Sequence, residues 1–148
     1  MAIQKRRVLF IDSALPDEIE LALKSGFQGV TTNPSLVSQA PQGDKTQSFM
    51  RRYINHMNTI VPICSQYSHH PSLSVEVFSN EPEKMIDQAR LILEEISYPN
   101  LAIKVPVSYR ERNYLGVIQT LSSQGIKVNA TCGFSASQLE MAAQAGAR

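Results

Sequence analysis

The sequence predicts an α/β fold with a parallel sheet, and two observations support this prediction. Short apolar segments with strand character alternate with longer segments of helical period, and the alternation occurs five times in succession. Five consecutive β–α units indicate a parallel sheet covered by helices. The 148 residues contain no linker and no low-complexity tract. We therefore expect residues 1–148 to form a single domain.

The predicted elements follow one another along the chain. The predicted strands are residues 8–12, 29–33, 72–78, 101–107 and 126–134. The predicted helices are residues 16–26, 45–60, 81–97, 110–125 and 135–147. Helix ends are indicated by Pro16 at the start of the first helix and by Gly26 and Gly125 at the ends of the first and fourth. Ser135 or Ser137 is a candidate N-cap of the last helix.

The composition argues against several classes of function. The net charge is +1, from 14 basic and 13 acidic residues, so nothing indicates a nucleic-acid partner. The short basic run 5–7 is expected to be solvated. No apolar stretch approaches the roughly 20 residues that span a bilayer, and the start does not resemble a signal peptide. Cys64 and Cys132 are isolated, which fits the reducing cytoplasm and no metal site.

Lys104 is an ammonium group in the middle of the apolar strand 101–107. Alternation places the large apolar residues of this strand on one face, and Ala102, Lys104 and Pro106 on the other. A lysine in apolar surroundings is costly unless it is paired, neutralised or used in chemistry.

The same alternation sorts the polar residues of the other strands. Side chains that face the helices should be apolar, so the residues of opposite phase point into the concave side of a curved sheet. This inward set comprises Asp12, Thr31, Asn33, Glu76, Lys104, Asn129 and Thr131, with Lys127 as a second inward lysine near the start of its strand. Most of them lie late in their strands, where barrel enzymes place their chemistry. The alternative is a buried polar network that only fixes the register, although such a network is costly purely as structure.

The inward set can perform imine chemistry. Burial disfavours the charged form of a lysine, and a neutral amine can attack a carbonyl to form a Schiff base. The neighbouring C–C bond can then break, with Asp12 as the base for the substrate hydroxyl. Glu76 and the Thr131 hydroxyl can hold the water of imine formation and hydrolysis, and Asn33 and Asn129 can contact sugar hydroxyls. Alternatively, the glutamate only pairs with the lysine and keeps it inert, and the asparagines only tie strand ends together.

Five segments together resemble the transaldolase family, including its short members related to fructose-6-phosphate aldolase: FIDSA, GVTTNPSLV, LSVEVF, AIKVPV and KVNATCGFSASQ. The resemblance extends from about residue 8 to residue 147. It implies a (β/α)₈ TIM barrel of transaldolase type, of which this chain holds about five β–α units. It also implies class I imine chemistry with no metal and no other cofactor.

The resemblance also implies roles for individual residues. Lys104 would form the imine, and Asp12 would be the acid/base at the cleaved bond. The family pattern assigns substrate contacts to Asn33 and Asn129, and it assigns the positioning of the catalytic water to Glu76 and Thr131. The family's phosphate-binding arginine and serine lie on later strands than these five units supply.

Three functions remain open at this point. The first is a transaldolase of the pentose phosphate pathway, which moves a dihydroxyacetone unit between sugar phosphates. The second is an aldolase that releases dihydroxyacetone through the same imine; aldolase members usually have Gln at the position of Glu76, so the glutamate favours transaldolase. The third is a catalytically silent partial barrel that serves as a binding or assembly partner. Because five units cannot close a barrel, we expect a homo-oligomer or a barrel completed by further polypeptide, with the first strand paired to the second.

Overall fold

The structure, a computed structural model, describes residues 8–41 and 43–148. The basic run 5–7 lies outside these residues. The strands are β1 Phe10–Asp12, β2 Gly29–Thr31, β3 Ser72–Glu76, β4 Leu101–Pro106, β5 Ser108–Tyr109, β6 Arg112–Asn113 and β7 Val128–Thr131. The helices are α1 Pro16–Lys24, α2 Pro34–Gln39, α3 Phe49–Ser65, α4 Pro82–Glu95, α5 Leu115–Ser123 and α6 Ala136–Gln144.

A five-stranded parallel sheet forms the centre of the structure. Its strand order is β1-β2-β3-β4-β7, and all four pairings are parallel. Strand β1 pairs with β2 as expected, and within the described residues β1 and β7 are the two edges of this sheet. The arrangement is a partial TIM barrel, which confirms the predicted fold class.

The core lies between the helix-facing side of the sheet and the helices. The predicted outward residues of β3 and β4 are fully buried there, together with apolar residues of four helices: Leu73, Val75, Ile103, Val105, Ile19, Ile54, Met57, Ile92 and Ile118. Burying one such side chain contributes about 1.5–3 kcal/mol. This packing fixes which side of each strand faces the helices, and thereby directs the polar residues of opposite phase to the other side.

Residues 34–39 form a helix, α2, which was not among the predicted helices and follows directly after the predicted strand 29–33. The Asn33 side chain caps this helix, because its Oδ1 accepts a hydrogen bond from the N–H of Leu36 at 3.0 Å. Pro34 occupies the first turn, where a missing N–H costs nothing. The signal was present in the sequence, since Asn followed by Pro is a typical helix start.

Helix α3 begins and ends later than the predicted range 45–60. Ser48 caps it by accepting a hydrogen bond from the N–H of Arg51 at 3.2 Å. The helix continues past the exposed Pro62 to Ser65. The continuation is stabilised because Cys64 extends the buried face of the helix by one turn.

The prediction of a helix over 110–125 is wrong at its start. Strands β5 and β6 form an antiparallel hairpin there, and α5 begins only at Leu115. The backbone of Arg110 has φ +55°, a left-handed conformation that a helix does not contain. Tyr114 is buried, and its hydroxyl donates to the backbone oxygen of Asn80 at 3.1 Å. This anchor holds the segment in the hairpin conformation.

The remaining helix ends agree with the sequence. Gly26 and Gly125 adopt left-handed φ values of +94° and +78° just after α1 and α5, where a side chain would be strained. Ser135, rather than Ser137, caps α6, and it forms a reciprocal capping box with Gln138. In the described part of the chain, no helix combines the length and apolar character needed to cross a membrane.

Candidate active site

Lys104 lies in the middle of β4, at the centre of the sheet. Every residue of β4 is buried, and only 8% of Lys104 is exposed. Its Nζ donates a hydrogen bond to the backbone oxygen of Thr32 at 3.1 Å and lies 3.2 Å from Oε2 of Glu76. Both partners accept hydrogen bonds from the amine, which offsets the cost of removing it from water.

Glu76 is the last residue of β3 and stands opposite Lys104 in the strand register. Burial raises the pKa of the Glu76 carboxyl, the nearby ammonium of Lys104 partly offsets this, and the negative charge of Asp12 adds to the rise. The backbone N–H of Glu76 donates to the Tyr53 hydroxyl at 3.1 Å. Glu76 therefore holds a proton more readily than a solvated glutamate does. It also contacts the amine of Lys104, with which it can exchange that proton.

A cavity of about 580 Å³ lies over this pair, and we call it the Lys104 cavity. Its lining includes five of the predicted site residues, which are Asp12, Asn33, Glu76, Lys104 and Thr131. They come from the carboxyl ends of β1, β3 and β7, from the middle of β4, and from the cap of α2. The volume lies in the range of small-molecule sites, and the position is the one that barrel enzymes use.

Each of the three flanking residues offers different chemistry to this cavity. Asp12 is the last residue of β1, and its side chain is accessible to a substrate. The Oδ1 of Asn33 is used in capping α2, so its amide NH₂ is the group that can donate to a ligand. Thr131 ends β7, and its backbone oxygen accepts a hydrogen bond from the N–H of Val107 at 2.7 Å. That hydrogen bond fixes the position of Thr131 along the strand direction relative to β4.

Thr31 and Asn129 lie in the lining of a second cavity, of about 570 Å³, nearer the amino ends of the strands. Asn129 is opposite Lys104 in the register, but its Nδ2 donates to Oγ of Ser74 at 3.1 Å. Neither residue is among those that line the Lys104 cavity, although Thr31 stands opposite Asp12 in the register. Their role in substrate binding stays a prediction.

The second inward lysine, Lys127, lies away from the Lys104 cavity. Its side chain is exposed, and its Nζ donates to Oδ1 of Asn100 at 2.8 Å. It lines the second cavity, just before the start of β7. This is the position expected for a residue early in its strand.

Several residues around the site were missed by the sequence reading. Thr32 contacts Lys104 through its backbone carbonyl, and Tyr53 contacts Glu76 through its hydroxyl. In both cases the partner is far away along the chain. Ser74 lies two residues before Glu76 and shares its inward face by alternation, but its contact with Asn129 was not predicted. The place of Tyr109 in the lining of the Lys104 cavity was not predicted either. Cys132 lines the Lys104 cavity with a left-handed φ of +55°. Only Ser74 had a signal, which was the strand alternation.

Across residues 8–41 and 43–148, the His, Cys, Asp and Glu side chains form no group of three or more that could hold a metal ion. Asp12 and Glu76 are the two carboxylates in the lining of the Lys104 cavity. The arrangement supports chemistry through an amine and two carboxylates.

The chain was compared with known protein families and curated proteins. Residues 9–148 match the family described as Transaldolase/Fructose-6-phosphate aldolase. A probable transaldolase 1 of Listeria monocytogenes is 36% identical over 139 residues, which cover 93% of this chain and 56% of that protein. A probable transaldolase of Syntrophobacter fumaroxidans is 37% identical over 139 residues, with the same shares. The chain spans about half the length of these curated relatives.

A comparison with solved structures concerns the fold alone. The crystal structure of 2,3-dimethylmalate lyase, a member of the PEP mutase/isocitrate lyase superfamily, superposes with a TM-score of 0.56 at 15% identity. The match covers 95% of this chain and 54% of that structure. This agrees with a partial α/β barrel.

Proposed function

Because this chain belongs to the transaldolase/fructose-6-phosphate aldolase family, we propose that it acts in a transaldolase. The reaction transfers a dihydroxyacetone unit from a ketose phosphate to an aldose phosphate through a Schiff base on Lys104. The observation that carries this proposal is the buried pair of Lys104 and Glu76, 3.2 Å apart, in a cavity that Asp12 also lines.

The first step joins the sugar to Lys104. Transfer of one proton from the ammonium to Glu76 gives a neutral amine and a neutral carboxylic acid. The amine adds to the ketose carbonyl and forms a carbinolamine. Glu76 then gives its proton to the carbinolamine hydroxyl, which leaves as water, and the protonated imine remains beside the Glu76 carboxylate. The raised pKa of Glu76 supports this role because the acid form is easily reached.

The second step breaks a carbon–carbon bond. Asp12 takes the proton from the hydroxyl on the fourth carbon of the ketose, and the bond between the third and fourth carbons breaks. An aldose leaves, and the bonding electrons move into the imine to give an enamine. Addition of the enamine to an acceptor aldose reverses these movements, and Asp12 returns its proton to the new hydroxyl. The Thr131 hydroxyl, with Glu76, is proposed to hold the water that finally hydrolyses the imine.

The aldolase activity is the second candidate, and it differs only in the fate of the enamine. An aldolase protonates the enamine and releases free dihydroxyacetone. Glu76 favours the transferase, because the resemblance places Gln at this position in the aldolase members. No side chain in the Lys104 cavity favours the third candidate, a silent partial barrel.

We also propose that the sheet is completed by further polypeptide or by a second copy of the chain. Apolar side chains are exposed in the segments that contain or adjoin the two edge strands, at Val8 and Leu9 just before β1, at Phe10 in β1, and at Phe134 and Leu139 after β7. The largest exposure is 87%, at Phe134. Exposed apolar groups next to unpaired strand edges are typical of surfaces that pair with other chain segments. The free thiols of Cys64 and Cys132 support the cytoplasm as the proposed compartment.

An assay of products with and without an acceptor separates these candidates. The protein is incubated with fructose 6-phosphate, alone and with an aldose phosphate, and products are followed by NMR. A transaldolase gives a new ketose phosphate only when the acceptor is present. Free dihydroxyacetone without acceptor would instead support the aldolase. If neither product forms and no sugar is captured on Lys104, the silent barrel is the correct interpretation.

A further inference from the structure

The turn that follows Glu76 forms one wall of the Lys104 cavity. Strand β3 ends at Glu76, and the next four residues, 77–80, all line the cavity. We call residues 77–80 the Glu76 turn. Helix α4 begins shortly after it, at Pro82. Because the turn continues directly from the residue that contacts Lys104, a displacement of the turn also displaces the Glu76 carboxylate.

The backbone N–H groups at the end of β3 find partners on two different elements. The N–H of Glu76 donates to the Tyr53 hydroxyl of α3 at 3.1 Å. The N–H of Val77 donates to the backbone oxygen of Lys104 at 3.1 Å, which extends the pairing of β3 with β4 by one residue. Past Val77 the chain leaves the sheet, and its next two N–H groups need another acceptor.

Gln88, on α4, supplies that acceptor. Its side-chain oxygen Oε1 accepts a hydrogen bond from the N–H of Phe78 at 3.0 Å and another from the N–H of Ser79 at 2.9 Å. An amide oxygen has two lone pairs, so both hydrogen bonds can form at once. Both are partly shielded from water, where an N–H that loses its partner is costly. Gln88 therefore ties the Glu76 turn to α4.

Two further contacts hold the Glu76 turn. The Phe78 ring packs edge-on against the ring of Tyr53, with the centroids 5.5 Å apart. The backbone oxygen of Asn80 accepts a hydrogen bond from the hydroxyl of the buried Tyr114 at 3.1 Å. Gln88 fixes the backbone between these two points, so the turn is held along its whole length.

We propose that Gln88 is a positioning residue for the reaction at Lys104. This inference rests on the proposed function. By holding the Glu76 turn, Gln88 keeps the Glu76 carboxylate 3.2 Å from Nζ of Lys104, the distance that proton exchange requires. A displacement of about 1 Å can slow a reaction about 10²-fold. Gln88 is not among the residues that line the Lys104 cavity, so it acts through the turn and not on the sugar.

Rapid-quench borohydride trapping with dihydroxyacetone measures the proposed role. The rise of the Lys104 adduct with time gives the rate constant of imine formation, and the final amount of adduct counts the folded, reactive sites. A variant that only disrupts the fold lowers the final amount. A variant that misplaces Glu76 lowers the rate constant instead. Circular dichroism identifies a temperature at which every variant is folded.

Substitutions of Gln88 separate its hydrogen bonds from its bulk. Gln88→Met keeps the length of the side chain but removes the acceptor, and it should slow imine formation about 10–100-fold. Gln88→Glu can still accept both N–H groups and should retain most of the rate. Gln88→Asn, one methylene shorter, withdraws the acceptor without making the position apolar and should also be slow. Gln119→Met, at an exposed glutamine of α5, is the matched control and should react like the unmodified protein.

A double variant tests whether Gln88 acts through Glu76. In Glu76→Gln the proton exchange is already lost, so the addition of Gln88→Met should change the rate of imine formation little. An equal slowing in both backgrounds would mean that the substitution disturbs the cavity in general, and the inference would be overturned.

The remaining outcomes separate this inference from the proposed function. If the unmodified protein captures no dihydroxyacetone on Lys104, the proposed imine chemistry fails, and Gln88 has no reaction to assist. If capture occurs and Gln88→Met reacts as fast as the unmodified protein, only the positioning role is overturned. That role is also overturned if Gln88→Glu is as slow as Gln88→Met.

Discussion

The Nζ of Lys104 lies 3.2 Å from the carboxylate of Glu76, and the two residues face each other across paired strands. The pair is nearly closed to water, with 10% of the Lys104 side chain and 15% of the Glu76 side chain exposed. A charged pair in such a position is not a strong source of stability, because desolvation cancels most of the attraction. Its value is chemical, since a proton can move between the two groups without passing through solvent.

Replacing Glu76 with Gln tests its role as acid and base. The amide can still accept a hydrogen bond from Lys104 but cannot exchange the proton. We expect imine formation with dihydroxyacetone to slow by about 10²–10⁴-fold. Rapid-quench borohydride trapping measures this rate, and Glu81→Gln, at an exposed glutamate, is the control. An unchanged trapping rate would reduce Glu76 to a structural partner of the lysine.

The raised pKa of Glu76 predicts how its contribution to stability depends on pH. The folded protein holds this proton more tightly than the unfolded chain does, because burial raises the pKa of Glu76 above its ordinary value of 4.5. Ionisation of Glu76 therefore costs stability; the cost is absent below the unfolded pKa and complete above the folded pKa. The unmodified protein should lose stability relative to Glu76→Gln as the pH rises through and above the ordinary glutamate pKa of 4.5.

Urea unfolding of both proteins across this pH range measures the difference. Glu140→Gln, at an exposed position within α6, provides the reference variant. A gain of stability by the unmodified protein relative to Glu76→Gln with rising pH would mean that the attraction of Lys104 outweighs burial. The pKa of Glu76 would then be lowered rather than raised.

Tyr53→Phe tests the support beneath Glu76. Tyr53 is fully buried. Its hydroxyl accepts a hydrogen bond from the backbone N–H of Glu76, at a level of β3 that β2, which ends at Thr31, does not reach. The variant keeps the ring contacts with Phe49 and Phe78 but leaves that N–H without its partner. We expect a loss of about 1–3 kcal/mol in the free energy of unfolding. Tyr67→Phe, at a half-buried ring, should stay within about 0.5 kcal/mol, and an equally small effect at Tyr53 would refute the support role.

Asp12→Asn separates bond cleavage from imine formation. Asp12 lines the Lys104 cavity but makes no ion pair with Lys104, so the lysine should still capture dihydroxyacetone. Cleavage of fructose 6-phosphate should fall by about 10²–10⁴-fold, because the base for the hydroxyl proton is lost. The two rates are measured by borohydride trapping and by NMR, with the exposed Asp17→Asn as control. Normal cleavage by Asp12→Asn would assign the base to another residue.

The inner face of the sheet could be predicted from the sequence because side chains alternate strictly along a strand. The outward phase of the large apolar residues in β3 and β4 directs Glu76 and Lys104 inward, and parallel pairing then brings them opposite each other. Alternation does not show, however, in which direction along the sheet an inward side chain extends. It could not tell that Asn129 would reach down to Ser74 rather than up into the Lys104 cavity.

The hairpin and the Tyr53 contact could not be predicted, for different reasons. Tyr53 precedes Glu76 by 23 residues and meets it only through the packing of α3 on the sheet. The turn at Arg110 has a left-handed backbone in a residue type that rarely adopts one, so composition gave no turn signal. In the absence of a turn signal, the apolar spacing of α5 predicts a single helix that continues backward through the hairpin. Both features depend on contacts between distant segments.

The identity of the lysine that captures the sugar tests the central claim most directly. The protein is incubated with dihydroxyacetone, reduced with borohydride and digested, and the modified peptide is identified by mass spectrometry. We predict one adduct, on Lys104, which is lost in Lys104→Met and retained in Lys127→Met, with circular dichroism confirming that both variants are folded. An adduct on Lys127, or no adduct on the folded unmodified protein, would contradict the account.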